Sequence, residues 1–296
     1  MKYSGIGGQA VMEGVMMKND SHYAVAVRKP DEQIEIKVDE YKGFGGKLRI
    51  KKWPIFRGIF AFIDSLYLGM STLMFSASFF EEEESTTEKK DDSLAMGATV
   101  ALSVLMALAI FFVLPYGLST LFSKVIDSDM LVALIEGVIR MLIFVGYVVL
   151  ISFMEDIKRV FMYHGAEHKC INCIEHGLEL NVENVKASSK QHKRCGTSFL
   201  IIVMLISIIF FMFIRVDSKV LQLVLRLILI PVIAGVSFEF IRIAGRYDNK
   251  LVNIISKPGM WMQNLTTKEP DDKMIEVGIA SVEAVFDWKK WQKEEL

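Results

Sequence analysis

Histidine and cysteine are crowded into one stretch of this chain. Between Tyr163 and Cys195, reading YHGAEHKCINCIEHGLELNVENVKASSKQHKRC, lie His164, His168, His176 and His192, together with Cys170, Cys173 and Cys195. The sharpest feature is the H-x-x-E-H pattern from His164 to His168. On a helix, residues four apart share a face about 6 Å apart, so both imidazoles can grip one ion. Neutral imidazole suits zinc and related divalent metals. Glu167 projects about 60° round the axis from His164. That position suits a base acting on a metal-bound water, as in zinc peptidases with this pattern. His192 or Cys195 would supply a third ligand. The plainer alternative is a polar helix face on which two histidines happen to sit.

The same stretch holds a rival. Cys170-x-x-Cys173 with His192-x-x-Cys195 has the composition of a structural Cys3His zinc site. On a continuous helix Cys173 falls about 180° from His164, which turns it away from the histidines. Glu175 returns to the histidine face, but about 10 Å beyond His168 along the axis, so it reaches the same ion only if the helix breaks.

The elements that must position these groups are largely apolar. The chain has 296 residues, 52% of them hydrophobic, a formal net charge of -1 and a mean hydropathy of +0.36. That charge gives no bulk attraction to nucleic acid. The opening MKYSGIGGQAVMEG lacks the apolar core of a signal peptide, so reduced cytosolic thiols are expected rather than a disulfide framework.

Four transmembrane helices are expected, over 93–123, 130–154, 195–214 and 220–244, with short hairpin tips between the members of each pair. Residues 53–80 are apolar but carry Arg57 and Asp64, and an interfacial or re-entrant helix is expected there. A charged linker, EEEESTTEKKDD, fills 81–92. The candidate metal loop, 155–197, lies within a membrane domain over 93–245. This arrangement puts 29 of the 34 Lys and Arg residues on one side. The positive-inside rule then makes both termini and the loop cytosolic at a bacterial inner membrane. Glu136, Arg140, Arg226 and Glu239 fall inside spans, where charges need partners or mark a path.

Residues 1–52 are expected to form a small β-containing segment. Within it 22–29 and 33–39 read as a hairpin or two short adjacent strands, and Lys47 to Lys52 beside Trp53 suit a membrane interface. The stretch SGIGGQAVMEGVMM is no dinucleotide fingerprint, because its glycines lack the required spacing. It is a turn leading into a strand, or else a tight loop carrying Glu13 to the metal. The C-terminal segment, 246–296, should hold an interfacial piece with Trp261. A helix capped by Asp271 or Asp272 should then run to about Lys293, with Ile275, Ile279, Val282 and Phe286 on one face.

SGIGGQAVMEGVMMK, YHGAEHK, HKRCGTSF, FEFIRIAGRYDN and PGMWMQNLTTKEPDD resemble the bacterial YqhQ family. Its members are membrane proteins with a domain of unknown function, labelled predicted metal-dependent enzymes. The likeness covers nearly the whole chain. Family members usually read HPRCGT where this chain has His192-Lys193-Arg194-Cys195-Gly196-Thr197, so the turn is less fixed here. The resemblance implies that Glu13, His164, Glu167, His168, Glu175, His192, Cys195 and Glu239 are motif positions. Cys170 and His176 stand outside the pattern, which weakens the Cys3His site.

The combined expectation is a mainly α-helical, four-span membrane protein that meets the bilayer but no nucleic acid. It would hold a divalent metal, zinc by donor type, on His164 and His168 with His192 or Cys195. Glu167 would be the base of a hydrolase, and Glu13, Glu175 and Glu239 would support the site. A scaffold with a structural metal and a transporter using the intramembrane charges are the other classes.

Overall fold

A computed structural model describes residues 2–44, 50, 53–80, 93–214, 216, 218–246 and 250–295. The charged linker at 81–92 and all of the basic cluster at 47–52 except Ile50 lie outside the described residues. Contacts divide the chain into two compact units. The first comprises Met1–Glu81, Leu150–Ile201 and Ala234–Leu296, and the second Glu82–Val149 and Ile202–Ile233.

In chain order the elements begin with β1 (Gly7–Val11), β2 (Gly14–Asn19), β3 (His22–Arg28), β4 (Ile34–Glu40), α1 (Phe56–Ala77) and α2 (Ser93–Leu108). After a π turn at Ala109–Val113 come α3 (Leu114–Phe122), α4 (Asp129–Ile151), α5 (Glu155–Glu175) and α6 (Val182–Ala187). The last are α7 (Gly196–Met212), α8 (Lys219–Arg246), α9 (Lys250–Thr266), α10 (Asp272–Val285) and α11 (Trp288–Glu295). The expected hairpin at 22–39 is present as β3 and β4. The glycine-rich stretch before it is a second hairpin, because Met12 and Glu13 form a two-residue turn with Glu13 at φ 48.

In the first unit the four strands form an antiparallel sheet in sequence order. β3 is buried on both faces, as its run of small and β-branched residues requires. Ala26 joins Val15, Met17, Tyr163, Ala166, Ile171, Ile275 and Val282 in the main core, which α5 and α10 build against the sheet. Tyr23, Val25 and Val27 face the other way and pack with Leu68 of α1, flanked by Phe75, Phe79 and Phe80. The C-terminal half of α1 is thus docked on the sheet. Met12 N donates to Ser76 Oγ at 3.1 Å, and a Cβ on Gly69 would meet Gln9.

The C-terminal helix is shorter than expected. Asp271 caps α10, its side chain accepting from Met274 N at 2.8 Å. Phe286 then turns to extended backbone so that its ring is buried, and Asp287 accepts from Lys290 N at 3.0 Å as α11 starts.

In the second unit Pro115 shapes the membrane helices. A proline cannot donate to the carbonyl four residues back, here Phe111, and the helix widens into the π turn. Arg140 Nε donates to the freed Phe111 oxygen at 2.9 Å. Arg140 Nη2 also donates to Glu136 Oε1 at 2.5 Å, and Arg226 Nη2 lies 2.8 Å from Glu136 Oε2. Glu136 therefore meets both arginines that fall inside the expected spans.

Among the described residues four helices are long and apolar enough to cross a membrane, over Phe56–Ala77, Gly97–Phe122, Asp129–Ile151 and Lys219–Ala244. Three match expected spans. The remaining expected span is α7, a shorter apolar helix of 17 residues. In its place stands α1, which the sequence led us to keep out of the spanning set.

Candidate metal centre

α5 is continuous through the H-x-x-E-H pattern, so His164 and His168 share a face, with ring centroids 4.4 Å apart. The residues between them explain how the site closes. A Cβ on Gly165 would lie 2.0 Å from Lys268 O. Only glycine lets the segment after α9 cross α5 this closely, and Lys268 N donates to Phe161 O at 2.9 Å there. That crossing brings Thr266 O to 2.9 Å from His164 Nδ1.

On the other side the end of α6 and the loop after it are pinned to α5 through their carbonyls. Lys169 Nζ donates to Lys186 O and Ser188 O, both at 2.8 Å. Asn172 Nδ2 donates to Ser189 O at 2.6 Å and Gln191 O at 3.0 Å. The pinned loop offers Lys190 O to His168 Nδ1 at 2.6 Å. Carbonyls only accept, so each Nδ1 carries the proton and each Nε2 is left to point inward.

Cys195 stands between those two nitrogens, immediately before α7. Its Sγ is 3.2 Å from His164 Nε2, and the ligand atoms of His164, His168 and Cys195 all lie within 4.8 Å of one another. Among the described residues this is the one such cluster of three. Glu167 Oε2 lies 3.5 Å from His168 Nε2 and 4.0 Å from His164 Nε2. Thr197 faces the sulfur with its hydroxyl at 3.1 Å and its amide at 3.4 Å. Burial pushes the Cys195 thiol up, but the two histidines outweigh it and hold the group well below the usual thiol range. Burial lowers His164, and the opposing Cys195 charge more than compensates, raising it to about 9. His168 is raised in the same way, by Glu167 and then Cys195 against burial.

Two imidazole nitrogens and a thiolate are zinc donors, and histidines whose second nitrogen donates to a carbonyl form the usual outer shell of such sites. The residues present therefore fit a divalent ion, with Glu167 close enough to be a fourth donor or a base.

The remaining expected site residues lie elsewhere. His192 Nε2 is turned to Glu175 Oε2 at 3.6 Å and to Arg194 Nη2 at 3.2 Å. Glu175 accepts from Ser4 N at 2.9 Å, from Ser4 Oγ at 2.8 Å and from Arg194. Burial raises the Glu175 carboxyl, but His192, Arg194 and the Ser4 amide bring it down to about 2. Burial, chiefly, lowers His192. Glu13 accepts from Arg159 and from Tyr163 Oη, and Glu239 accepts from Arg57. Neither carboxylate is in the cluster. The Cys3His alternative is not assembled, since Cys170 packs against Gly278 in the main core and Cys173 Sγ faces Glu179 O at 3.4 Å.

Several contributors carry no signal in the sequence. Thr266 and Lys190 act through backbone oxygens. Gln263, fully buried, accepts from His192 N and donates to His192 O and Ser198 Oγ. Gly8 of β1 leaves room for Glu167, whose Cγ a Cβ there would meet at 2.8 Å. The glycine-rich motif is thus tied to the site through its glycine rather than through Glu13.

The chain matches the family described as protein of unknown function (DUF1385) over residues 53–288. It is 37% identical over 287 residues to the uncharacterized protein YqhQ of Bacillus subtilis (strain 168), covering 93% of this chain and 90% of that protein. No solved structure matches it.

Proposed function

The chain belongs to the YqhQ (DUF1385) family of unknown function, and from that premise we propose that it is a membrane-bound enzyme dependent on a divalent metal, of hydrolase type. His164, His168 and Cys195 hold the ion, zinc by donor chemistry, and Glu167 is the base. One observation carries this reading. Both Nε2 atoms and the sulfur converge within 4.8 Å while both Nδ1 atoms are committed to carbonyls. A ring tied in that way cannot swing its Nε2 out of the cluster.

A divalent metal bound there supplies Lewis acidity and a water of lowered pKa. The chain supplies the rest. Glu167 Oε2, beside both histidines, accepts the proton released by the nucleophile. Thr197 orients the Cys195 sulfur. Burial of His168 and Glu167 excludes bulk water and strengthens each charge interaction.

Topology supports a cytosolic site. β1 to β3, α5 and α10 share one core, so they lie on one side of the membrane. The chain must then cross an even number of times between β4 and α5, and again between α5 and α10. Of α1, α2–α3 and α4, the helix that stays out is α1, because half of it is docked on the sheet. α7 and α8 cross together. The helix of α7 rises about 25 Å against a core of about 30 Å, and the uncharged stretch 195–214 lengthens it.

Metal analysis of the purified protein tests the site. About one ion per chain is expected, lost in His164→Ala and in His168→Ala. Equal metal in all three proteins eliminates the site. The 3.2 Å contact between His164 Nε2 and Cys195 Sγ favours a second reading. Here Cys195 is a nucleophile, His164 its base and Thr266 O the orienting group. Metal-free wild type whose Cys195 is alkylated rapidly, and slowly in His164→Ala, would select it.

A further inference from the structure

We propose that the buried cluster of Glu136, Arg140 and Arg226 in the second unit is a binding site for one small anionic group. The occupant is a halide-sized ion or a single phosphate oxygen of a lipid headgroup, taken by Arg226.

The cluster holds one carboxylate and two guanidinium groups, at 0%, 3% and 6% exposure respectively. Each nitrogen of Arg140 makes one hydrogen bond. Its Nε meets Phe111 O at 2.9 Å, its Nη1 meets Ser207 Oγ at 3.0 Å and its Nη2 meets Glu136 Oε1 at 2.5 Å. Arg140 and Glu136 therefore neutralise each other, and Arg226 is the surplus charge. Arg226 Nη2 lies 2.8 Å from Glu136 Oε2, and among the described residues that oxygen and the Nε and Nη1 of Arg226 have no hydrogen-bond partner. A pair that served only to hold helices in register would leave neither a net positive charge nor idle donors at this depth, where both are costly.

The idle donors belong to a residue that lines a cavity. Tyr116, Ser119, Thr120, Ser123, Gln222 and Arg226 surround a space of about 20 Å³. That volume admits a single group the size of a water or slightly larger. The guanidinium is held in orientation by stacking, with Cζ 4.6 Å from the Tyr116 ring centroid and 5.3 Å from that of Phe211. The hydroxyls of Ser119, Thr120 and Ser123 donate to carbonyls of their own helix, and that of Tyr116 donates to Lys219 O. Asp129 and Lys219 also line the space and offset one another. The charge an anion meets there is thus that of Arg226. A water could occupy the idle donors, but it would leave the surplus charge uncompensated.

The test uses full-length protein in a neutral detergent, with unfolding followed by tryptophan fluorescence. In one arm sodium chloride replaces sodium gluconate at constant ionic strength. In the other, dioctanoyl phosphatidylglycerol is compared with dioctanoyl phosphatidylcholine. One arm should give a saturable rise in unfolding temperature. A response to chloride identifies a free ion. A response to the glycerol lipid, and not to the choline lipid, identifies a headgroup. Arg226→Gln should abolish the rise. Should that variant not fold, Arg226→Lys keeps the charge but loses the forked donors, and its apparent affinity should fall about tenfold. No rise in either arm, or equal affinity in Arg226→Lys and wild type, overturns the proposal.

Discussion

The polar groups of α5 and those of α4 and α8 are buried to a similar depth, yet they are satisfied by different means. In the first unit the backbone does the work. His164, His168, Lys169 and Asn172 all donate to backbone carbonyls, at the C-terminal ends of α9 and α6 and in the loop before Cys195. In the second unit the helices use most of their own carbonyls, and Glu136, Arg140 and Arg226 rely chiefly on one another. Among the described residues their one backbone acceptor is Phe111 O, which Pro115 releases. Loops can carry unpaired carbonyls to a site from several directions, whereas membrane helices cannot. Removing one group from the first cluster therefore leaves its neighbours held. Removing the carboxylate from the second strands two guanidinium groups.

Glu136→Gln should have the largest effect. It leaves two guanidinium groups buried without a carboxylate, a loss of about 3–5 kcal/mol. Folded yield, read by size-exclusion chromatography in detergent, should collapse. The double change Glu136→Gln with Arg226→Leu should recover part of it. A single mutant that folds like wild type would break the contrast.

Glu167→Gln comes next in size and acts on the other cluster. Metal content and unfolding temperature should hold, while hydrolysis of any substrate the wild type turns over should fall about 10²–10⁴-fold. Loss of the metal would instead make Glu167 a ligand.

Gly165→Ala should fall below that. Its methyl group meets Lys268 O and displaces the carbonyl held by His164. Metal affinity, measured by competition with a chelator, should weaken about 10–100-fold, as when other outer-shell partners are lost. Unchanged affinity would show that the Thr266 contact does not position the ring. Cys173→Ala should do least. Stability should drop about 1 kcal/mol with metal content unchanged, and metal loss there would revive the Cys3His site.

Much of this was legible in the sequence, for reasons that also mark where legibility stops. The i,i+4 spacing of His164 and His168 fixes a shared face once α5 is a helix, and Glu167 follows from it. Cys195 and His192 were equal candidates for the third ligand. Three residues of separation do not say which one turns inward, and His192 turns to Glu175 because Arg194 and Ser4 gather there. Backbone acceptors such as Thr266 O and Lys190 O have no residue-type signature. Hydropathy carries no sign of the sheet that packs on Leu68 and Ser76 of α1. Phe286 ends α10 early because its ring is needed in the core, which periodicity alone does not reveal.

The central claim is that Cys195 and the two histidines of α5 share one ion. Cobalt substitution tests it most directly, since a thiolate bound to cobalt gives a charge-transfer band in the near ultraviolet. The purified protein, stripped with chelator and reloaded with cobalt(II), should show that band at about one equivalent. Cys195→Ser should lose the band, whereas Cys170→Ser with Cys173→Ser should keep it. A band that survives Cys195→Ser, or none at all in wild type that has bound cobalt, would contradict the account.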